Sequence, residues 1–488
     1  MVREMSERLG RELLERLNQA VSECIGIHFT EDRLGDLEQA FTRLAMEAPY
    51  ESPVALANKI LSSRPSQVDV ERLARQITVG ETYFFREPKA FKALEEVILP
   101  ALIEKRKYSR HLKIWSAGCC TGEEVYSVIM LLLRLIGDFG SWKISILATD
   151  INPDFIARAK NGIYSEWSFR NALKEQELFS VLADGRRQID EKLREMVRFS
   201  YLNLAEDSYP SMITGTNSCD LILCRNVLIY FKDSVIEKVV DKLSASLSED
   251  GYLLLGATEV PRVSHQRLLS QEYESTYYFR RASREVELSQ NYLTNSGRFV
   301  TLGSLNKDSD MDEPLMPSPS DRKEAARYKL DYAKKLFRQG DYLSCASLLA
   351  RYIDCEDYQL TEALELRARA LSNVGRFEEA LCAVDRVVEL ETENAYAHYL
   401  KAVILEEWGR GEEACEHLKI CLSLKGDSVI AEFLLANHYL RDNNKELAAS
   451  HLLNVRRNLL KLAPGVPLAW SDGTSARELL KIVDGLIV

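Results

Sequence analysis

The sequence predicts a multidomain protein. An N-terminal all-α domain is followed by an α/β domain on a parallel sheet and then by a C-terminal all-α array of repeats. Three observations carry this reading. Apolar residues at helical spacing fill the segment up to about residue 90. Short apolar runs alternate with apolar helical stretches from Leu112 to Glu259. Small residues recur with a period near 34 after residue 322.

In the first segment, Leu9, Leu13, Leu14, Leu17 and Val21 share one helical face, as do Leu34, Leu37, Phe41 and Leu44. Pro49, Pro53 and Pro65 punctuate the remainder. The central segment contains four strand-like runs, LKIWSAGC, KISILATD, CDLILCRN and GYLLLGATE. Helical stretches lie between them, one beginning at Glu123 and another spanning Ser234 to Leu247. The runs are continuously apolar, not alternating, which is the pattern of strands covered on both faces of a parallel sheet. Residues 165–200 break the alternation and read as a small insert. Ser283 to Asp321 is rich in Ser, Asp and Pro and reads as a flexible linker. The domains expected are therefore 1–90, 91–282, the linker 283–321, and 322–488. Residues 1–282 should fold and bind their ligand without the repeats.

In the last segment Ala333, Ala368, Ala402 and Ala436 are spaced by 35, 34 and 34. Cys345, Ala380, Ala414 and Ala448 repeat that spacing twelve residues on, with Gly340, Gly375, Gly409 and Asn443 before them as turn residues. Small residues are needed where two helices cross closely. The pattern resembles the tetratricopeptide repeat, two antiparallel helices per unit, with Thr392 where that repeat usually has Pro. Residues 476–487 then form a terminal capping helix.

The net charge of −11 argues against broad nucleic-acid binding, which needs a basic face. The N-terminus is charged from the start, and no run approaches the roughly 20 apolar residues of a membrane span. The expected location is cytoplasmic. The ten cysteines form no CxxC pair and stand beside no histidine cluster, so no metal is expected.

Candidate chemistry gathers at the ends of the strand-like runs. Ser116 to Glu124 is a turn of small residues that lets a ligand approach the backbone. It is neither GxGxxG nor a Walker loop, so a nucleoside with a charged amino-acid tail suits it better than a phosphate. Glu123 could meet an ammonium group or simply favour the helix dipole. Asp150 ends the second run. It could accept from ribose hydroxyls or cap the helix starting at Pro153. Arg225 and Asn226 leave the third run, with Tyr230 and Phe231 following. No Ser-His-Asp or Cys-His arrangement is evident. An acceptor that is already an ionised carboxylate needs no general base, and the task becomes one of positioning.

Taken together, Thr82-Tyr-Phe-Phe-Arg86-Glu, Trp115 to Glu124, Ala148-Thr-Asp150 and Cys224 to Phe231 resemble the CheR-type chemoreceptor methyltransferases over residues ~10 to 282. The resemblance implies a Rossmann-like domain with a small β-subdomain behind the N-terminal helices. It implies methyl transfer from S-adenosyl-L-methionine to receptor glutamates, giving methyl esters. Carried over by position, Thr82 and Arg86 reach the cofactor from the interdomain segment, Glu123 meets its amino group and Asp150 its ribose. Asn203 and Leu204 flank the adenine, Arg225 and Asn226 line the pocket, and Arg86 and Tyr230 place the substrate carboxylate. The implied partners are cytoplasmic domains of chemoreceptors and an unknown protein held by the repeats, with no nucleic acid and no membrane insertion. Gly80 and Cys120 depart from the family's frequent Asn and Ser. Two alternatives compete: a methyltransferase acting on a small molecule or nucleic acid, and a non-enzymatic repeat scaffold. Val227 speaks against the amino-methylating enzymes, which usually carry Pro there. Intact Arg86, Glu123, Asp150 and Asn226 speak against the scaffold.

Overall fold

The computed structural model describes residues 9–47, 52–62, 65–170, 176–206, 209–211, 214–263, 265, 267–281, 322–338, 342–355, 359–442, 444–471, 474–484 and 486–487. The expected linker 283–321 and the expected turn residues Gly340 and Asn443 lie outside the described residues.

The two amphipathic stretches of the first segment form helices Arg11–Ile25 and Leu34–Glu47, joined by Pro53–Ser62 and Gln67–Ile77. Leu14, Leu17, Val21, Leu37, Phe41 and Leu44 are buried, so the helical spacing turns one apolar face into the core of this layer. The first helix stops at Gly26, whose φ of 90° is the left-handed C-cap conformation that glycine adopts without strain. Ser66 and Asp69 cap Gln67–Ile77 reciprocally.

The central strands are β1 (His111–Ala117), β2 (Lys143–Asp150), β3 (Ile163–Tyr164), β4 (Phe179–Val181), β5 (Arg187–Ile189), β6 (Val197–Tyr201), β7 (Cys219–Cys224), β8 (Leu247–Leu255), β9 (Leu268–Tyr273) and β10 (Thr276–Arg281). The main sheet runs in the order β6-β2-β1-β7-β8-β10-β9. Its first five strands are parallel, and β10 and β9 close it antiparallel. All four expected runs are strands, and every residue of β7 is buried. The insert is shorter than expected. Ile163–Tyr164, Phe179–Val181 and Arg187–Ile189 make the small antiparallel sheet β3-β5-β4, while Val197–Tyr201 is the edge strand of the main sheet. That strand mixes buried, intermediate and exposed positions, with Val197 and Phe199 buried and Arg198 exposed, so it lacks a buried strand's apolar run.

The repeats form four helix pairs: Arg322–Arg338 with Tyr342–Cys355, Leu360–Asn373 with Phe377–Leu390, Ala395–Trp408 with Gly411–Leu424, and Val429–Arg441 with Lys445–Leu459. The eight small residues of the 34-residue pattern are each at most 1% exposed, buried within the helical array. The capping helix is Ala476–Asp484, shorter than the 476–487 expected.

The linker implied a free repeat module; the structure instead docks the array on the α/β domain. Its contacts fall at the N-terminal ends of the strands. Before β7, the Ser218 hydroxyl donates to the Asn373 carbonyl at 2.7 Å. On β1, the Lys113 ammonium bonds Glu407 at 2.9 Å and Asn217 at 3.0 Å, in a pair with little exposure. On β2, Lys143 donates to the Glu406 carbonyl at 3.2 Å. The second repeat thus meets β7 and the third meets β1 and β2, at the sheet end opposite the loops that carry the expected site.

Candidate active site

A cavity of about 100 Å³ lies where the C-terminal ends of β1, β2 and β7 meet the N-terminal helical layer. This is the end at which open parallel sheets bind ligands. Of the residues expected in the site, Thr82, Arg86, Asp150, Asn203, Leu204, Arg225, Asn226 and Tyr230 all line it. Glu123 does not. Its carboxylate turns inward to the hydroxyls of Thr121, at 2.6 Å, and Ser168, at 3.0 Å. Glu124 lines the cavity in its place. The GEE sequence alone could not say which acid faces inward, because the helix start sets that and adjacent helical positions point about 100° apart.

Asp150 is not the helix cap. Asn152 caps Pro153–Asn161, accepting from the amides of Asp154 and Phe155. Asp150 instead accepts from the amides of Cys120, at 2.9 Å, and Asn152, at 2.8 Å. These bonds aim the carboxylate across the small-residue turn. Burial nevertheless pushes its carboxyl up to about 6.

Arg225 is almost wholly enclosed. Its guanidinium meets Glu124 at 3.0 Å, Glu87 at 3.3 Å and the Arg86 carbonyl at 2.6 Å, and stacks over Phe91. It joins the end of β7 to the segment carrying Thr82 and Arg86. Asn226 donates to Glu87 at 3.0 Å. The Arg86 guanidinium bonds the Glu81 carbonyl. Burial raises the Tyr230 phenol above its ordinary range, which keeps it protonated, while nearby Arg86 pulls the other way. The side chain of Asn203 is occupied by the Cys24 carbonyl, at 2.7 Å, and the Ala205 amide, so it fixes the wall between the two layers.

Sequence reasoning missed the part played by the first helix. Ile25 and Ile27 line the cavity, the His28 amide donates to the Tyr230 carbonyl at 2.8 Å, and Ile27 pairs with Phe231 as an isolated antiparallel bridge. The signal was Gly26: a Cβ there would stand 2.8 Å from the Phe231 ring. It also missed Glu259, the last residue of the GATE run, whose bonds are described below.

The donor set fits a charged nucleoside. Gly118 has φ +82° and space only for a hydrogen toward Val227, leaving bare backbone at the cavity. Asp150 offers an acceptor for hydroxyls, Glu124 a negative charge for an ammonium, and Ile25, Ile77 and Leu204 an apolar wall for a base. No histidine lines the cavity, and burial raises both the Cys119 and Cys120 thiols, which leaves them un-ionised. Among the described residues no group of acidic, His and Cys side chains could hold a metal ion. No helix among them is long and apolar enough to cross a membrane.

Residues 80–279 match the family model described as "CheR methyltransferase, SAM binding domain". The chain is 34% identical over 259 residues to the chemotaxis protein methyltransferase of Borreliella burgdorferi, covering 52% of this chain and 90% of that one. It is 32% identical over 223 residues to chemotaxis protein methyltransferase 2 of Vibrio cholerae, covering 45% and 76%. It is 33% identical over 221 residues to the probable biofilm formation methyltransferase of Pseudomonas aeruginosa, covering 44% and 50%. With nine-tenths of such a relative matched at 34% identity, the chain belongs to the CheR family of S-adenosylmethionine-dependent methyltransferases.

Proposed function

We propose that this enzyme esterifies glutamate side chains in the cytoplasmic domains of chemoreceptor-like signalling proteins. The observation that carries the reading is a cavity lined by binding groups and by no histidine, with Asp150 engaged by the Cys120 and Asn152 amides and Glu124 by Arg225. A glutamate carboxylate is already a nucleophile at neutral pH, so it needs no general base. An amine acceptor would arrive protonated and need one. S-adenosylmethionine supplies an electrophilic methyl group on a sulfonium.

The residues of the chain divide the work of positioning. Asp150 takes the ribose hydroxyls, and Glu124, not Glu123, takes the ammonium of the methionine end. Thr82, Leu204 and the isoleucines of the first helix enclose the rest. Arg86 attracts the substrate carboxylate and the Tyr230 phenol donates to one of its oxygens, leaving the other for attack. Such positioning is where most of the acceleration must come from. Nucleic acid is a poor alternative substrate for a chain with a net charge of −11. The relatives named for chemotaxis and for biofilm formation support a signalling receptor without saying which output it controls. The repeats are proposed to hold a further protein in their concave face.

The test is direct. Asp150→Ala should weaken S-adenosylmethionine binding by about 2 kcal/mol or more, roughly thirtyfold, since two charge-assisted hydrogen bonds go. Calorimetry on the folded variant checks this, and unchanged affinity would remove Asp150 from the site.

A further inference from the structure

The turn Asn226–Tyr230 carries Tyr230, proposed to act on the substrate, and Asn226, which lines the cavity, yet it is not a regular element. It leaves β7 with Asn226 at φ +59°, a left-handed conformation that an asparagine holds at a cost. Something must hold it there, and Glu259 makes the most contacts.

Glu259 is 0% exposed. One carboxylate oxygen accepts from the amides of Asn226, at 2.9 Å, and Gly256, at 2.6 Å. The other accepts from the amides of Val227, at 2.7 Å, and Ile229, at 3.2 Å. A carboxylate has about four lone-pair sites, and four backbone N–H groups fill them. Three of those donors belong to the turn. The fourth, Gly256, closes the other side, where a Cβ would stand 2.7 Å from the same oxygen and 3.0 Å from the Asn226 amide. The turn also packs directly on the cofactor loop, since a Cβ on Gly118 would stand 2.3 Å from a Val227 methyl.

We infer that Glu259 is a positioning residue for methyl transfer: its buried carboxylate shapes the 226–230 turn so that Tyr230 faces the reacting groups and Asn226 lines the cavity. It touches neither cofactor nor substrate and acts through the turn. The inference rests on the proposed roles of that turn, but the anchoring itself does not.

Glu259→Gln in the full chain keeps the volume while presenting an NH₂ to two N–H donors, which cannot pair. Three quantities are measured: S-adenosylhomocysteine affinity by calorimetry, kcat and KM for receptor methylation, and hydrogen exchange of the Val227 and Ile229 amides. The expected result is affinity within about threefold of the parent, kcat lowered at least about twentyfold with KM less changed, and exchange at both amides at least about tenfold faster. Combined with Tyr230→Phe, it should cost far less than the product of the two single losses. If Glu259→Gln does not fold, Gly256→Ala perturbs the same carboxylate from outside and carries the same expectations. Unchanged exchange, or a kcat within threefold of the parent, overturns the inference. The exchange measurement needs no substrate. Absence of methyl transfer by the parent protein with slow, Glu259-dependent exchange would therefore sink the acceptor reading and leave the anchor in place.

Discussion

At the scale of single residues, the site is governed by buried acids whose charge the fold does not neutralise with cations alone. Asp150 is the clearest case. Its carboxyl sits near 6 because burial outweighs the amide bonds from Cys120, Asn152 and Ile151. Below that pH the free protein carries Asp150 protonated, and the proton competes with ribose hydroxyls that need the ionised form as acceptor. Cofactor affinity should therefore be flat above about pH 7 and fall up to about tenfold per unit below 6. Asp150→Asn should remove that dependence along with most of the affinity, and titrations at several pH values check both. Asp150 was legible in the sequence because a strand-terminal acid after a small-residue turn has few uses. The choice between Glu123 and Glu124 was not, since it depends on which of two neighbouring carboxylates finds Thr121 and Ser168. Glu259 was invisible for a related reason: three of its four partners are backbone amides 30 to 33 residues away, and amides leave no mark in a sequence.

At the scale of elements, periodicity carried most of the information. Continuous apolar runs found β1, β2, β7 and β8, and the 34-residue spacing found the repeat helices. Elements without a strong period were missed, namely the edge strand β6 and the antiparallel pair β9 and β10, while the small sheet β3-β5-β4 was expected only as an insert and from the family resemblance. These are half-exposed, so their residues alternate or mix, and no buried face imposes a pattern. The repeat crossings give a prediction at this level. Ala402 is 1% exposed between helices that depend on close approach. Ala402→Leu should destabilise the array by about 1–3 kcal/mol through overpacking while leaving S-adenosylmethionine affinity unchanged. A loss of affinity without loss of repeat stability would contradict the separation of the two roles.

At the scale of the whole molecule, the repeats and the site occupy opposite ends of one sheet. The catalytic loops leave its C-terminal edge, and the turns of the repeats rest on its N-terminal edge. The composition of the linker suggested independence, but composition says nothing of where a tethered domain comes to rest. The docking depends on Lys113, whose ammonium would be left with Asn217 alone if Glu407 were removed. Glu407→Ala should therefore cost up to about 3 kcal/mol in the unfolding free energy. It should also raise hydrogen exchange along the first residues of β1 and β2. Cofactor affinity should hold, because no residue of the repeats lines the cavity. Equal exchange in parent and variant would mean that the repeats do not rest there in solution.

The central claim is that this cavity makes a methyl ester on a carboxylate. The measurement that tests it most directly follows tritiated methyl from S-adenosylmethionine onto the cytoplasmic domain of a receptor encoded beside this enzyme, followed by mild base. Label should be released as volatile methanol, with none incorporated when the acceptor glutamates are changed to alanine. Label that survives base would place the methyl on nitrogen or another stable atom and contradict it.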